Sequence, residues 1–430
     1  MADDYRPAYK GVVLVTLSVV YGLNFIDRQI LVILQELIKA EMGLSDTQLG
    51  LLSGFSFAII YVSAGIPIAY WADRLNRRNI LAASLAVWSA MTALSGLAQT
   101  YLQLVMARVG VGLGEAGGSP PAHSIISDYF PPAQRASALS VYQSGVYVGI
   151  LCGYAFGGVL AELVGWRLTF VSLGVPGVLL AFGLLLLVRE PRRGRWDAAA
   201  TPQKASGFSE ALAILRARRS FWYVALGCAS ATFIAFGNGN FLPSFLIRNH
   251  GFSVGQVGLV LSVSAGLAGA IGAIAGGVLA DRLGKRDMRW YVWVPVLGMT
   301  LATPPYFYVL LGDNVVAIVV FIFFLNTVNS LYLGPSIAIC HAMVPPGMRA
   351  LTSAILFFVL NVIGLGLGPL FTGLASDLLE PVAGSDNLRS AMLITACMGP
   401  VAMLMFYLGS RHLDDDLRVA GHPAARGAPA

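Results

Sequence analysis

The sequence predicts an all-α membrane protein: twelve transmembrane helices in two pseudo-symmetric six-helix bundles. Three observations carry this. Of 430 residues, 57% are hydrophobic and 12% charged, about half the charge of a soluble domain. The apolar residues gather in twelve runs, most reaching the ~20 residues that cross a bilayer. Two blocks at charged run ends occur twice, about half a chain apart.

The runs lie near 11–37, 48–72, 79–99, 102–128, 137–162, 168–188, 220–247, 254–280, 290–311, 315–343, 350–378 and 390–410. The polar start, Met1 to Lys10, leads into a run too long for a signal-peptide core and without a cleavage site. It reads as a first span that directs insertion. Connections are short except 189–219, rich in Arg, Pro and Ala. The expected organisation is therefore a first bundle over 1–188, a cytoplasmic linker over 189–219, a second bundle over 220–411 and a cytoplasmic tail over 412–430. The linker ends in Phe208, Leu212 and Leu215, spaced i, i+4, i+7, beside Arg216, Arg218 and Arg219. That pattern fits an amphipathic helix at the interface, or an ordinary solvated connector.

Orientation follows from the basic residues. With the N-terminus inside, 22 of the 28 Lys and Arg fall on the inner side and 4 (Lys39, Arg167, Arg248, Arg389) on the outer, with Arg28 and Arg108 inside spans. Both termini are expected in the cytoplasm, for a multi-pass protein of a bacterial inner membrane. The net charge of +6 thus belongs to the inner membrane surface, and no nucleic-acid partner is expected. The four cysteines sit far apart in apolar runs with no metal or redox spacing, and read as small core residues.

The repeated blocks are Asp73-Arg74-Leu75-Asn76-Arg77-Arg78 against Asp281-Arg282-Leu283-Gly284-Lys285-Arg286, and Pro131-Pro132-Ala133-Gln134-Arg135-Ala136 against Pro345-Pro346-Gly347-Met348-Arg349-Ala350. Their offsets are 208 and 214 residues. Two matched blocks at nearly one offset point to a duplication, an arrangement suited to alternating access about a midplane site.

The run from Gly277 to Arg286 resembles the loop signature of the major facilitator superfamily. The first copy departs from it, with Ala69 and Asn76 where glycines are usual. Arg108-Val109-Gly110-Val111-Gly112-Leu113-Gly114-Glu115-Ala116 resembles the fourth-helix signature of the same superfamily. Within it, Asn24-Phe25-Ile26-Asp27-Arg28 and Gly114-Glu115-Ala116 are most similar to the spinster family. The resemblance implies a secondary transporter, and spinster proteins are associated with export of sphingolipids and lysolipids.

Four ionisable residues fall well inside spans: Asp27, Arg28, Arg108 and Glu115. Each costs ~2.5–3.5 kcal/mol at a helix centre on insertion scales, so they must pair or line water. Arg108 and Glu115, seven apart, share a helix face. The reading places Asp27 opposite Arg108 and makes Asp27, Arg108 and Glu115 a proton-coupling relay. A static buried ion pair is the structural alternative, although such pairs stabilise poorly. Asp27 and Arg28 lie ~100° apart on a helix, which turns Arg28 toward the cavity mouth and a substrate head-group. Further candidate substrate contacts are Asn24, Gln143, Tyr147, Asn238, Asn329 and Asn361, with Asn240 and Asn326 also polar at depth; each alone is more often a packing hydrogen bond.

Asp73, Arg74, Arg77 and Arg78, with Asp281, Arg282, Lys285 and Arg286, read as a cytoplasmic gate in which Asp accepts charge-assisted bonds and Arg reaches toward the adjacent bundle. The alternative is positive-inside topology alone. The series Gly145, Gly149, Gly153, Gly157, Gly158 and Gly364, Gly366, Gly368, Pro369, Gly373 allow close helix approach and loosely resemble an antiporter-associated pattern of the superfamily. All four central charges lie in the first half, so one cavity wall is charged and the other apolar, which suits an amphipathic substrate. His123 and His341 read as interface histidines. No catalytic set, Walker loop or metal cluster is apparent, so an enzyme is not expected, and no cofactor beyond coupling protons. The expected partners are an amphipathic lipid or a small organic substrate and the surrounding membrane lipids, with the chain a monomer. A carrier for drugs or small organic anions is the competing substrate reading.

Overall fold

A computed structural model describes residues 5–72, 74–196 and 208–421. The described residues are helical, without strands, and make up the twelve expected spans. The first is Pro7–Met42, the second Asp46–Ala72 and the third Arg77–Ser95. The fourth comes in two pieces, Tyr101–Glu115 and Ser119–Tyr129, because Gly117-Gly118 and Pro120-Pro121 interrupt the backbone ladder there. Pro132–Leu187 holds the fifth and sixth spans, divided at Gly165, whose φ of 77° only glycine adopts freely. The second half runs Arg219–His250, Val254–Gly284 and Trp290–Leu311. Its tenth span is again in two pieces, Val315–Asn329 and Leu333–Ala342. The eleventh starts at Arg349 and reaches Ala383. The twelfth comprises Asn387–Ala396 and Met398–Val419, so its helix runs past the expected start of the tail at 412.

The duplication shows in backbone detail that the charged blocks did not include. Gly43 ends the first span at φ 64° and Gly251 ends the seventh at φ 66°. Two residues on, Ser45 and Ser253 each open a helix with a capping box, to Gln48 and to Gln256. Each pair lies 208 residues apart, the offset of Asp73 and Asp281. π-Helical turns follow at Leu51–Phe55 and Ser262–Leu267, and a third lies in the eleventh span at Leu360–Leu367, feeding directly into Gly368 and Pro369.

The chain divides into two compact units: Met1–Ala200 with Leu246–Gly266, and Thr201–Phe245 with Leu267–Ala430. In the first, the glycine face of the fifth span lies on the first span. A Cβ on Gly145 would meet the Ser18 carbonyl oxygen at 2.4 Å, and one on Gly149 the Gly22 carbonyl oxygen at 2.3 Å. In the second, Gly364 and Gly368 of the eleventh span lie as closely on Thr232 and on the Phe233 carbonyl. The glycines therefore act in helix packing whatever their part in coupling. The linker's final helix forms over Phe208–Ala217. Leu215 is fully buried, packed with Phe221, Val224 and Leu413 in the core of the second unit, with Leu212 against the same cluster. Leu215 and Leu212 of its apolar face thus pack on protein. Among the cysteines, Cys228 and Cys340 are buried, but Cys397 is exposed, which corrects the reading of all four as core.

Candidate functional site

The four central charges lie together in the first unit. Asp27, Arg108 and Glu115 are 3%, 2% and 1% exposed, and all four side chains are close enough to interact electrostatically. Helix register does this. Asn24 and Arg28 sit one turn apart on the first span, while Arg108 and Glu115 sit two turns apart on the fourth. Gly112 between them lets the second span approach, since a Cβ there would stand 3.1 Å from the Phe57 carbonyl oxygen.

The pairing differs from the sequence reading. Glu115 is held by Arg28, whose Nε and Nη2 both donate to Glu115 Oε2 at 2.8 Å. Arg108 makes no ion pair among the described residues, and its Nε and Nη1 lack hydrogen-bond partners there. Its guanidinium carbon lies 5.5 Å from the Phe57 ring centroid. Asp27 Oδ2 and Glu115 Oε1 are likewise without partners. The sequence could not resolve this, because Asp27 and Arg28 are adjacent and the azimuth of the first span, ~100° from one to the other, decides which one meets the fourth. Buried charged groups left without partners are costly; Asn24 lies within hydrogen-bonding reach of Glu115, and Thr92 of Asp27.

Arg28 keeps one exposed edge: its side chain is 18% exposed against 0% for Glu115. Three rings surround its guanidinium carbon, Phe57 at 4.9 Å, Phe25 at 5.1 Å and Tyr61 at 5.1 Å. Each such contact contributes ~0.5–2 kcal/mol, and none was foreseen. Beside them Tyr21 stacks on Tyr142 at 4.4 Å, with His123 edge-on to Tyr142 at 5.3 Å.

The remaining polar candidates divide by unit. Asn24 is buried, Gln143 exposed and Tyr147 half-buried, all in the first unit. In the second, Asn238 is buried and donates from Nδ2 to the Met392 carbonyl at 2.9 Å, a packing bond. Asn326 donates to Ile322 O within its own helix. Asn329 lines a small cavity with Thr303, Tyr306 and Met299, and Asn361 sits half-buried on the π-helical stretch of the eleventh span. His341 Nε2 and Ser353 Oγ share a hydrogen bond of 2.6 Å.

At the Arg-rich end, Asp73 lies outside the described residues. Arg74 is exposed and packs on Tyr70 at 3.4 Å. Arg77 differs from expectation. It is 2% exposed and spends its donors inside its own unit: on Asp128 Oδ2 at 2.5 Å, Ser124 Oγ at 2.7 Å, Glu190 Oε1 at 2.7 Å and Pro191 O at 2.9 Å. Asp128 and Glu190 are partners the sequence reading missed. Asp128 also accepts from Gly194 N at 3.1 Å, and its carbonyl from Trp196 Nε1 at 3.0 Å, so the start of the linker is strapped to this unit. In the second unit Asp281 accepts from the Tyr291 hydroxyl at 2.7 Å, while Arg282, Lys285 and Arg286 are exposed.

A second ion cluster was also missed, at the opposite end. Arg248 donates to Glu36 through Nε (2.9 Å) and Nη2 (2.8 Å), and to Asp46 through Nη1 (2.9 Å) and Nη2 (2.8 Å). Lys39 Nζ adds a 2.6 Å bond to Asp46. Nearby, Glu162 Oε1 accepts from Gly255 N at 2.9 Å at the start of the eighth span, where an acid is favoured. A Cβ on Gly158 would stand 2.9 Å from the Gly258 Cα. These contacts are why residues 246–266, from the second half of the sequence, belong to the first unit. The repeat held a clue: the turns at 43–50 and 251–258 match, but Asp46 stands where the second copy has Val254.

Comparison with known proteins agrees with this architecture. Residues 17–369 match the Major Facilitator Superfamily. The chain is 34% identical over 417 residues to an MFS-type efflux pump of Mycolicibacterium smegmatis, covering 97% of this chain and 96% of that one. It is 26% identical to mouse protein spinster homolog 1, over 96% and 83% of the two chains. The crystal structure of a bacterial homolog to the human lysosomal transporter spinster, inward-facing and unoccupied, superposes with a TM-score of 0.89 at 33% identity, covering 96% and 99%. The spinster resemblance of the first and fourth spans thus extends along the chain.

Proposed function

Since the chain belongs to the major facilitator superfamily, we propose that it is a proton-coupled secondary transporter that moves amphipathic lipids, of sphingolipid or lysophospholipid type, by alternating access. It works as a monomer in a bacterial inner membrane with both termini in the cytoplasm. The similarity to spinster proteins supports the lipid class, and the charge asymmetry of the sequence supports the orientation. One observation carries the mechanism: a carboxylate and a guanidinium, buried together, with unpaired charged groups beside them.

A proton arriving at Glu115 neutralises it and removes the charge from its two bonds to Arg28, bonds that are roughly twice as strong while the carboxylate is ionised. Arg28 is then free to present its planar fork, already framed by Phe25, Phe57 and Tyr61, to a phosphate or other anionic head-group. Glu115 and the head-group therefore compete for one cation, and that competition links protonation to substrate. Asp27 is the second titrating carboxylate. Arg108, with two unbonded donors, holds positive charge against whichever carboxylate is ionised. Gln143 and Tyr147, in the same unit, supply further polar contacts.

The test is flux of a fluorescent lysophospholipid across proteoliposomes with and without an imposed pH gradient. Acceleration by the gradient is expected, and equal rates reject coupling. The second reading, a proton-coupled carrier for drugs or small organic anions, is favoured by the 34% identity to a protein named as an efflux pump. The same vesicles loaded with a small dye or organic acid separate the two.

A further inference from the structure

Away from the central charges, the third and sixth spans leave a groove of about 400 Å³ between them. Its floor is short by composition. Ala82, Ala83 and Ala86 of the third span recur at helical spacing, one face of the helix, and Ala181 meets them from the sixth. Phe182, 63% exposed, and Leu185, 38% exposed, form the outer wall. Exposed apolar side chains on a membrane span face acyl chains, so this trough lies in lipid. Its mouth is polar. Arg78 and Asn79 stand there, in the first turn of the Arg77–Ser95 helix.

Arg78 is fixed across the mouth. Nη1 donates to the carbonyls of Leu185 at 3.3 Å and Val188 at 3.5 Å, at the end of the sixth span, while Nε and Nη2 reach Asn79 Oδ1 at 3.1 and 3.0 Å. All of these partners are neutral. No carboxylate pairs with the Arg78 side chain among the described residues. The nearby Glu190 takes the Arg78 backbone N–H at 2.9 Å with one oxygen and the Arg77 guanidinium at 2.7 Å with the other. Asn79 is exposed, and its Nδ2 has no partner among the described residues. The mouth therefore offers a held cation, its side chain without a carboxylate among the described residues, and an amide donor above an apolar trough.

We propose that this groove is a binding site for an anionic phospholipid of the leaflet on the Arg-rich side, with one acyl chain along the alanine floor and the phosphate on Arg78 and Asn79. The site is separate from Asp27, Arg28, Arg108 and Glu115 and does not depend on the transported substrate. Charge complementarity selects the occupant: a zwitterionic lipid brings a cation to a mouth that already holds one, whereas a phosphatidylglycerol headgroup brings only the anion. Because Arg78 also joins the ends of the third and sixth spans, the occupant would brace that pair.

The experiment is native mass spectrometry of the full chain titrated with phosphatidylglycerol or phosphatidylcholine of identical acyl chains. The wild type is expected to retain phosphatidylglycerol in preference, and Arg78→Gln to lower that retention about fivefold, the usual contribution of one Arg near a membrane surface. Arg192→Gln, removing an exposed charge outside the groove, should leave retention unchanged. Ala83→Phe, which fills the trough and leaves Arg78 in place, should lower retention of both lipids, and it serves if Arg78→Gln does not fold. Unchanged phosphatidylglycerol retention in Arg78→Gln, equal losses in Arg192→Gln, or full retention in Ala83→Phe would each overturn the site.

Discussion

Replacing Arg248 with Leu is expected to loosen the end of the molecule where the seventh and eighth spans meet the first. Arg248 ties the second half of the sequence to Glu36 and Asp46 through four bonds of 2.8–2.9 Å. Its side chain is 18% exposed, Glu36 19% and Asp46 0%. Removing one partner of a buried pair costs about 3–5 kcal/mol, chiefly by leaving the other charge uncompensated. Two features lower that here. Lys39 still holds Asp46 at 2.6 Å, and Glu36 can rehydrate. A cost of about 2–3 kcal/mol remains, a factor of about 30 to 150 in any equilibrium that breaks these bonds. If alternating access opens this end, the open fraction should rise by that factor. Spin labels at Ala40 and Phe252, in a background lacking the exposed Cys397, would report it as a growing long-distance population. Glu36→Gln with Asp46→Asn should give the same shift and add little to Arg248→Leu. Unchanged distance distributions in Arg248→Leu would mean that the cluster only supports the local turn.

Glu115→Gln and Asp27→Asn should each abolish the response of proteoliposome flux to a pH gradient while leaving a folded protein, because an amide keeps the shape but does not titrate; a full response in both rejects the relay. Arg28→Lys should weaken the pH response as well as phospholipid binding, since a single ammonium cannot reproduce the Nε and Nη2 grip on Glu115; intact pH dependence with weakened lipid binding would return Arg28 to a head-group role alone. Gly149→Leu should destabilise by at least ~1–3 kcal/mol, as its Cβ would lie 2.3 Å from the Gly22 carbonyl oxygen, and an unshifted melting temperature would refute that packing. Asp416→Ala should cost ~1 kcal/mol by removing the 2.7 Å bond from Ser220 N at the start of the seventh span, which differential scanning of the purified protein resolves.

The fold was legible because the bilayer imposes it. A run of apolar residues long enough to cross has one conformation that satisfies its own backbone, so composition and length sufficed to place twelve spans. Breaks within spans were less legible. The interruptions after Glu115 and after Asn329 preserve the apolar run and disturb only the hydrogen-bond ladder. The π-helical turns are invisible to hydropathy for the same reason. Charged residues at the ends were located but not partnered. Arg77 read as a residue reaching outward, yet Asp128, Glu190 and Ser124 enclose it, and those acids lie 51 and 113 residues away in the chain. Arg248 entered only as one of four outer positive charges, because Glu36 and Asp46 have no motif of their own.

The central cluster shows most sharply what sequence periodicity can and cannot decide. Periodicity placed Arg108 and Glu115 on one face of the fourth span, and Asp27 and Arg28 on different faces of the first. It could not say whether Asp27 or Arg28 meets Glu115, because the two differ by a rotation of ~100°. That rotation is set by contacts remote from the charges: Gly22 seated on Gly145 and Gly149, with no room for any side chain between. The glycine series and the charged residues are thus parts of one arrangement. The close approach of the fifth span fixes the azimuth of the first, and that azimuth hands Glu115 to Arg28 and leaves Arg108 without an ion pair. A guanidinium bound on one side to a protonatable carboxylate and partly exposed on the other can exchange one anion for another. A closed Asp27–Arg108 pair, the structural alternative to the relay, would have offered no such exchange at Arg28.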